Sequence, residues 1–283
     1  FYQKTVGSKA STPIEVVDMG LRGFTRKIGI LKDYNANFQC GQCHSAANRY
    51  LTYKWLKDDK PVRPEDLQKA GVSPYATEFF KDPLESWAWF KAKGWHQGVN
   101  GTTGVHYVNG SDHPHVEIML QSKHGQAGVT CTDCHFARKA DGKAEHQPSL
   151  VKLKVENTCM RSACHGPGSK SNWTDPGQAL YTIEAIQQEY RIRVQKMEMA
   201  AKDAQRIFMK LKAGEASLPQ EVKEKLETAY EKYLSARDWY LTDLSSGFHD
   251  PEGFNRTVSV VTWELRKTNA AAQGALKKTP VKQ

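Results

Sequence analysis

The pattern of apolar positions changes character once along the chain, near residue 176. From Tyr190 onward apolar side chains alternate in steps of four and three: Tyr190, Val194, Met197, Ala201, Ala204, Phe208 and Leu211. That spacing places them on one stripe of a long helix. Asp175-Pro176 has the form of an N-cap followed by proline in the first helical position, and Gly214 is a fitting stop. A second stripe runs through Val222, Leu226, Ala229, Tyr233, Ala236, Tyr240 and Leu244. Ser217 and Gln220 precede it with the spacing of a capping box, with Pro219 in the first turn. The Gly247 to Gly253 segment breaks this stripe, and a third helix is predicted from about 255 to 275. Two long helices with single seams pair antiparallel. Whether they form a hairpin over their own chain or an interface with a second copy stays open at this level.

Residues 1–175 read differently. They are rich in Gly, Pro and Asn and hold no sustained period. The expectation is therefore a mainly α protein in two parts: a loop-rich region over 1–175, then a long-helix hairpin with a C-terminal helix over 176–283. Trp87, Trp89, Phe90 and Trp95 cluster in the first part. They suit either an ordinary core or the edges of a large flat cofactor.

The six cysteines supply the chemistry. Cys40-Gly-Gln-Cys43-His44 and Cys131-Thr-Asp-Cys134-His135 are CxxCH motifs, and Cys159-Met-Arg-Ser-Ala-Cys164-His165 is a wider CxxxxCH. Two thiols add across the two vinyl groups of one haem, and the adjoining His reaches the iron. A structural zinc site would want paired knuckles with no His after every second Cys. Disulfide frameworks belong to small secreted chains, and a thioredoxin-like pair would occur once. The sequence therefore predicts three covalent c-type haems in this chain. Their proximal ligands are His44, His135 and His165. Covalent haem attachment implies a periplasmic or extracellular bacterial or archaeal location.

Electron-transfer haems are usually six-coordinate, so the remaining seven histidines are candidate distal ligands. His124 stands just before the second motif, His146 lies between the second and third, and His249 follows a long helix in Gly247-Phe248-His249-Asp250-Pro251. These three are the distal candidates. His96, His106 and His115 keep an ordinary reading as surface or core residues.

Charge adds little to this picture. The 283 residues carry a formal net charge of +9, which suits acidic protein partners or anionic substrates. The basic residues are spread along the chain, against a nucleic-acid partner, and haem propionates would offset much of the excess. No apolar run approaches the roughly 18 residues that span a bilayer. The chain opens at Phe1, as expected of a processed chain or of one beginning inside a longer protein.

The order of these motifs resembles the C-terminal three-haem part of the pentahaem cytochrome c nitrite reductases and their octahaem relatives. The resemblance spans about residues 36 to 275. It rests on Cys40-Gly-Gln-Cys43-His44, on His113-Pro114 before His124-Gly125, on Gly128-Val-Thr-Cys131-Thr-Asp-Cys134-His135, on His146, and on Gly247-Phe248-His249-Asp250-Pro251-Glu252. It implies that His124, His146 and His249 are distal ligands, some of them serving haems attached further upstream. It also implies that His113 matches the family's active-site histidine, and that the long helices build a homodimer. The sequence departs from the family in two places. Ser45-Ala46-Ala47-Asn48-Arg49 follow the first motif instead of an acidic residue and tyrosines. Asn109-Gly110-Ser111-Asp112 stand where a calcium-binding Gln and Lys are expected.

Three functions follow as expectations. The first is electron relay through closely packed bis-His haems, exchanging electrons with redox partner proteins or other multihaem cytochromes. The second is reduction of nitrite, hydroxylamine or sulfite, with the active haem on a missing segment or partner. The third is a structural cytochrome with haems stacked between subunits.

Overall fold

The computed structural model describes residues 14–21, 24–31, 37–41, 44, 55–58, 60–62, 80–108, 113–136 and 148–278. Cys43 and His146 lie outside the described residues, as do Ser45–Tyr50 and Asn109–Asp112.

Three long helices form the larger packed unit. Helix α6 (Pro176–Lys212) begins as the sequence predicts. Asp175 Oδ1 accepts from Gly177 N at 2.8 Å, and Gln178 Oε1 accepts from Asp175 N at 3.3 Å. Gly214, at φ 73°, follows its last turn. Helix α7 (Gln220–Leu241) corrects the expected start. Pro219, at φ −54° and ψ 140°, is itself the extended residue before the first turn, and no side chain caps it. Ser217 therefore lies outside the helix, not at its cap. Helix α8 (Pro251–Lys278) starts four residues earlier than the predicted 255. Asp250-Pro251 repeats the Asp-Pro signal of Asp175-Pro176, and Asp250 Oδ1 accepts from Gly253 N at 3.1 Å.

The seams meet as their spacing implies. Tyr190 donates to the Tyr240 carbonyl at 2.5 Å, Tyr233 to Glu198 at 2.9 Å, and Gln205 to Tyr230 at 2.8 Å. Partner numbers fall on α7 as they rise on α6, so the two helices are antiparallel. Arg193 reaches Ser259, and Asn269 donates to the Ala200 carbonyl, so α8 runs parallel to α6. Met197, Ala204, Leu226, Val261 and Leu265 are fully buried between them. Each large apolar side chain contributes roughly 1.5–3 kcal/mol when removed from water.

The rest of the chain is short elements. Strands β1 (Ile14–Leu21) and β2 (Phe24–Leu31) form an antiparallel hairpin, with Ile14 opposite Leu31 and Leu21 opposite Phe24. The sequence reading did not mark this hairpin, because Val16-Val17 interrupts the period of two. After α1 (Asn37–Gly41) come β3 (Leu56–Lys57), β4 (Lys60–Pro61), α2 (Pro83–Ala92), β5 (Trp95–His96), β6 (Gly98–Val99) and β7 (His106–Tyr107). In the aromatic cluster Phe90 and Trp95 are buried core, and the partly buried Trp87 and Trp89 pack against it. Trp55 stacks on Phe90 at 4.1 Å, and Trp89 meets Phe90 edge-on at 4.8 Å. Helix α2 docks on α7 through the buried Glu231, which accepts from Lys91 at 2.7 Å and from Trp87 Nε1 at 3.3 Å. Then α3 (His115–Gln121), α4 (Lys123–Gln126), α5 (Cys131–His135) and a 3-10 turn (Pro148–Lys154) lead to α6.

Candidate functional site

The cysteine motifs are held to one another by hydrogen bonds through side chains. Asn37, in the first turn of α1, accepts from the Cys131 amide through Oδ1 at 2.7 Å, which ties the helix of the first motif to that of the second. The Val116 amide donates to the His44 carbonyl at 3.1 Å and brings α3 to the same place. Within α5, Cys131 and Cys134 sit three residues apart, so both thiols leave one side of the turn. Asp133 Oδ2 accepts from the Thr130 amide and hydroxyl at 2.8 Å each. Arg161, inside the third motif, reaches Asp133 Oδ1 at 3.3 Å. Burial alone would raise the Asp133 carboxyl, but the Thr130 hydrogen bonds and the Arg161 charge hold it below the usual range. The wide gap of the third motif is taken up by turns: Cys164 N donates to the Arg161 carbonyl at 2.8 Å, and His165 N to the Cys159 carbonyl at 3.0 Å.

The thiols face apolar surroundings. Burial pushes Cys131 up to about 12, with Cys40 beside it. Burial likewise pushes Cys134 up to about 11, with the neighbouring Cys159 thiol next in effect.

The imidazoles converge. His249 lies 6.1 Å from His135 between ring centroids, and His124 lies 5.9 Å from His165. His44 stands 5.3 Å from His115 and 6.3 Å from His113. His115 is also 5.7 Å from both His113 and His249. The structure thus brings together His44, His113, His124, His135, His165 and His249, which the sequence singled out one by one, and adds His115, which the sequence treated as ordinary. His115 is the most central of them. Burial, with His249 next in effect, lowers it to about 4, so it is neutral at pH 7. Its Nε2 is buried and makes no hydrogen bond among the described residues. Its place two residues after His113, at the start of a helix packed on the first motif, was the available signal. His96 of β5 and His106 of β7 stack on each other at 4.4 Å.

Three of these rings are anchored at Nδ1. His249 Nδ1 meets Asp243 Oδ1 at 3.0 Å, His165 Nδ1 meets Ser171 Oγ at 2.9 Å, and His44 Nδ1 meets His115 Nδ1 at 3.2 Å. Burial would raise the Asp243 carboxyl, but the His249 contact and Ser245 hold it at about 2. Sequence reasoning missed Asp243 and Ser171. Asp243-x-Ser245 ahead of Gly247 has the form of a side-chain-closed turn, and that was its signal. His113 has φ 60°, a left-handed conformation that non-glycine residues rarely adopt.

Comparison with known proteins places this arrangement. The cytochrome c552 family model matches residues 32–283. The chain belongs to the cytochrome c552 family. Among family relatives, it is 28% identical over 138 residues to cytochrome c-552 of Bacteroides thetaiotaomicron, covering 44% of this chain and 22% of that protein. It is 23% identical over 223 residues to the cytochrome c nitrite reductase subunit NrfA of Nitratidesulfovibrio vulgaris, covering 75% of this chain and 40% of that one. The solved cytochrome c nitrite reductase of Desulfovibrio desulfuricans shares the fold, with a TM-score of 0.60 at 19% identity over 87% of this chain and 51% of that one. The chain thus spans less than half the length of these two curated relatives. As a cytochrome c552 family member it is a multihaem c-type cytochrome, and haem c is its cofactor.

The residues fit that cofactor. Two imidazoles on opposite sides of one metal place their centroids about 6 Å apart, given metal–nitrogen bonds of ~2 Å. The His249–His135 and His124–His165 separations match this, and each joins a motif histidine to a distal candidate; His44–His113 at 6.3 Å and the His115 contacts at 5.7 Å fall in the same range. No three His, Cys, Asp or Glu side chains among the described residues are gathered as a cage for one bare ion. Anchoring at Nδ1 leaves Nε2 as the donor atom.

Proposed function

We propose that this chain relays electrons through bis-His haems, three of them attached at Cys40/Cys43, Cys131/Cys134 and Cys159/Cys164. The observation that carries the reading is the pair of six-ångström histidine couples. Each would supply two imidazole donors to one haem iron and so would leave that iron no open position for chemistry. His135 with His249 would hold the second haem, and His165 with His124 the third. His44 would hold the first, its distal partner coming from elsewhere, and His146 would serve a haem outside these three. Haem c itself supplies the one-electron exchange. This chain's residues orient it, shield it behind the α6–α8 bundle, and fix each ligand ring through its Nδ1 partner. In this reading residues 1–175 are the haem-binding region and 176–283 its helical support. The location is periplasmic or extracellular, and the partners are redox proteins. The exposed Tyr181, Met199 and Trp263 on α6 and α8 suit a homo-oligomer through the long helices.

A second reading, reduction of a small nitrogen or sulfur oxyanion, is favoured by the strained His113 and by the likeness to a nitrite reductase subunit over 75% of the chain. The haem-loaded protein decides between them. Relay predicts a wholly low-spin oxidised spectrum, three haems per chain by pyridine haemochrome and mass, and no turnover of nitrite, hydroxylamine or sulfite. A high-spin signal together with turnover would overturn it in favour of the reductase.

A further inference from the structure

We infer that Asp243 is a positioning residue that holds the His249 ring by its Nδ1–H and gives the haem bound through His249 a lower reduction potential than the haem bound through His165. The inference rests on the reading of both histidines as axial ligands.

The Asp243 side chain is wholly excluded from solvent. Its carboxylate accepts from Ser245 N at 3.1 Å, Ser245 Oγ at 2.6 Å and Gly247 N at 3.3 Å, besides meeting His249 Nδ1 at 3.0 Å. Ser245 Oγ in turn accepts from the His249 amide at 3.0 Å. The ring is thus fixed at its side chain and its backbone by one small network. A carboxylate on Nδ1–H withdraws that proton partway and gives the imidazole imidazolate character. A more basic imidazole donates more strongly to ferric than to ferrous iron, so the oxidised haem is favoured. Burial strengthens the effect, because no water screens the charge.

The Nδ1 partners of the other two anchored rings are neutral. His165 Nδ1 meets the neutral, exposed hydroxyl of Ser171 at 2.9 Å. His44 Nδ1 meets the neutral imidazole of His115 at 3.2 Å. Of these three Nδ1 partners, Asp243 is the one that carries a formal charge.

The test is a potentiometric titration of the haem-loaded protein, followed by visible absorption and EPR. Asp243→Asn keeps an oxygen for Nδ1–H but removes the charge. One low-spin haem should then titrate at a higher potential, with haem count, spin state and the other potentials unchanged. Asp243→Glu should move that potential back toward the native value. Ser245→Ala leaves the carboxylate charged with one donor fewer, so the same haem should titrate lower than native; this arm serves even if Asp243→Asn does not mature. Unmoved potentials in these variants overturn the inference, provided His249→Ala turns one haem high-spin. If His249→Ala leaves every haem low-spin, the ligand reading fails first and the inference falls with it.

Discussion

Tyr190 of α6 and Gly247 of the loop carrying His249 lie so close that a Cβ on Gly247 would sit 2.7 Å from Tyr190 Cδ2. Gly247 also has φ 79°, a conformation that strains any side chain. The Tyr190 hydroxyl donates to the Tyr240 carbonyl, near the end of α7. One aromatic side chain therefore sets how the chain leaves α7 and where His249 is delivered. Gly247→Ala should cost about 2–4 kcal/mol from backbone strain and overlap together. Tyr190→Phe should cost about 1 kcal/mol, the lost hydrogen bond alone. Adding Tyr190→Ala to Gly247→Ala should relieve the overlap but not the φ strain. Denaturant midpoints of Gly247→Ala, Tyr190→Ala and their double variant check this, and additive single effects would rule out the overlap.

Glu231 gives a second prediction. Its side chain is 4% exposed and is paired with Lys91, which is 45% exposed. Lys91→Met would leave a buried carboxylate whose one remaining side-chain donor among the described residues is the Trp87 indole. Breaking a buried pair from one side costs about 3–5 kcal/mol. The half-exposed lysine reduces this to about 1–3 kcal/mol, because solvent screens its charge. Glu231→Gln keeps acceptors for Trp87 and should cost less. Guanidinium midpoints rank the two, and a smaller loss for Lys91→Met would refute the assigned role.

The long helices were legible because single apolar stripes and Asp-Pro starts are local signals, written within a few residues of where they act. The start of α7 was not, because Ser217 and Gln220 satisfy a capping pattern that the extended Pro219 forecloses. The cysteine motifs announced their chemistry outright. His124 and His249 were singled out because one stands just before a haem motif and the other follows a long helix, in segments that resemble the family. His115 was not, because its role depends on α3 packing against the first motif across 71 residues of chain. Asp243 escaped for the opposite reason: its network is local, but a carboxylate at the end of a helix is ordinary until its His partner is known.

Asp238 supports a prediction about pH. Burial raises its carboxyl from 3.8 to about 7, although Arg237 Nη1 lies 3.6 Å away. The folded-state value exceeds the unfolded one, so the folded chain holds the extra proton. Asp238 therefore costs no stability below about pH 4, and it erodes stability as pH rises from there through about 7. The loss should be on the order of 1–3 kcal/mol. Asp238→Asn should flatten this slope in guanidinium midpoints taken between pH 5 and pH 8. An unchanged slope would show that another group is responsible.

His124 offers the most direct check on the ligand couples. Burial, with His165 and His249 adding to it, lowers its pKa, so the ring stays neutral with a lone pair to donate. The turn that presents it is tight. Ser122 Oγ accepts from Gly125 N at 3.0 Å, and a Cβ on Gly125 would lie 1.9 Å from the Met119 carbonyl oxygen. Removing the ring by His124→Gly leaves that turn intact and takes away one axial donor. One haem should become high-spin while all remain covalently bound, since the Cys159 and Cys164 thioethers do not depend on the distal side. Added imidazole should fill the gap and restore the low-spin spectrum. Gly125→Ala should mimic the spin change without being rescued in the same way, because the native ring is still present but displaced. A fully low-spin His124→Gly protein would remove His124 from the ligand set and break its couple with His165.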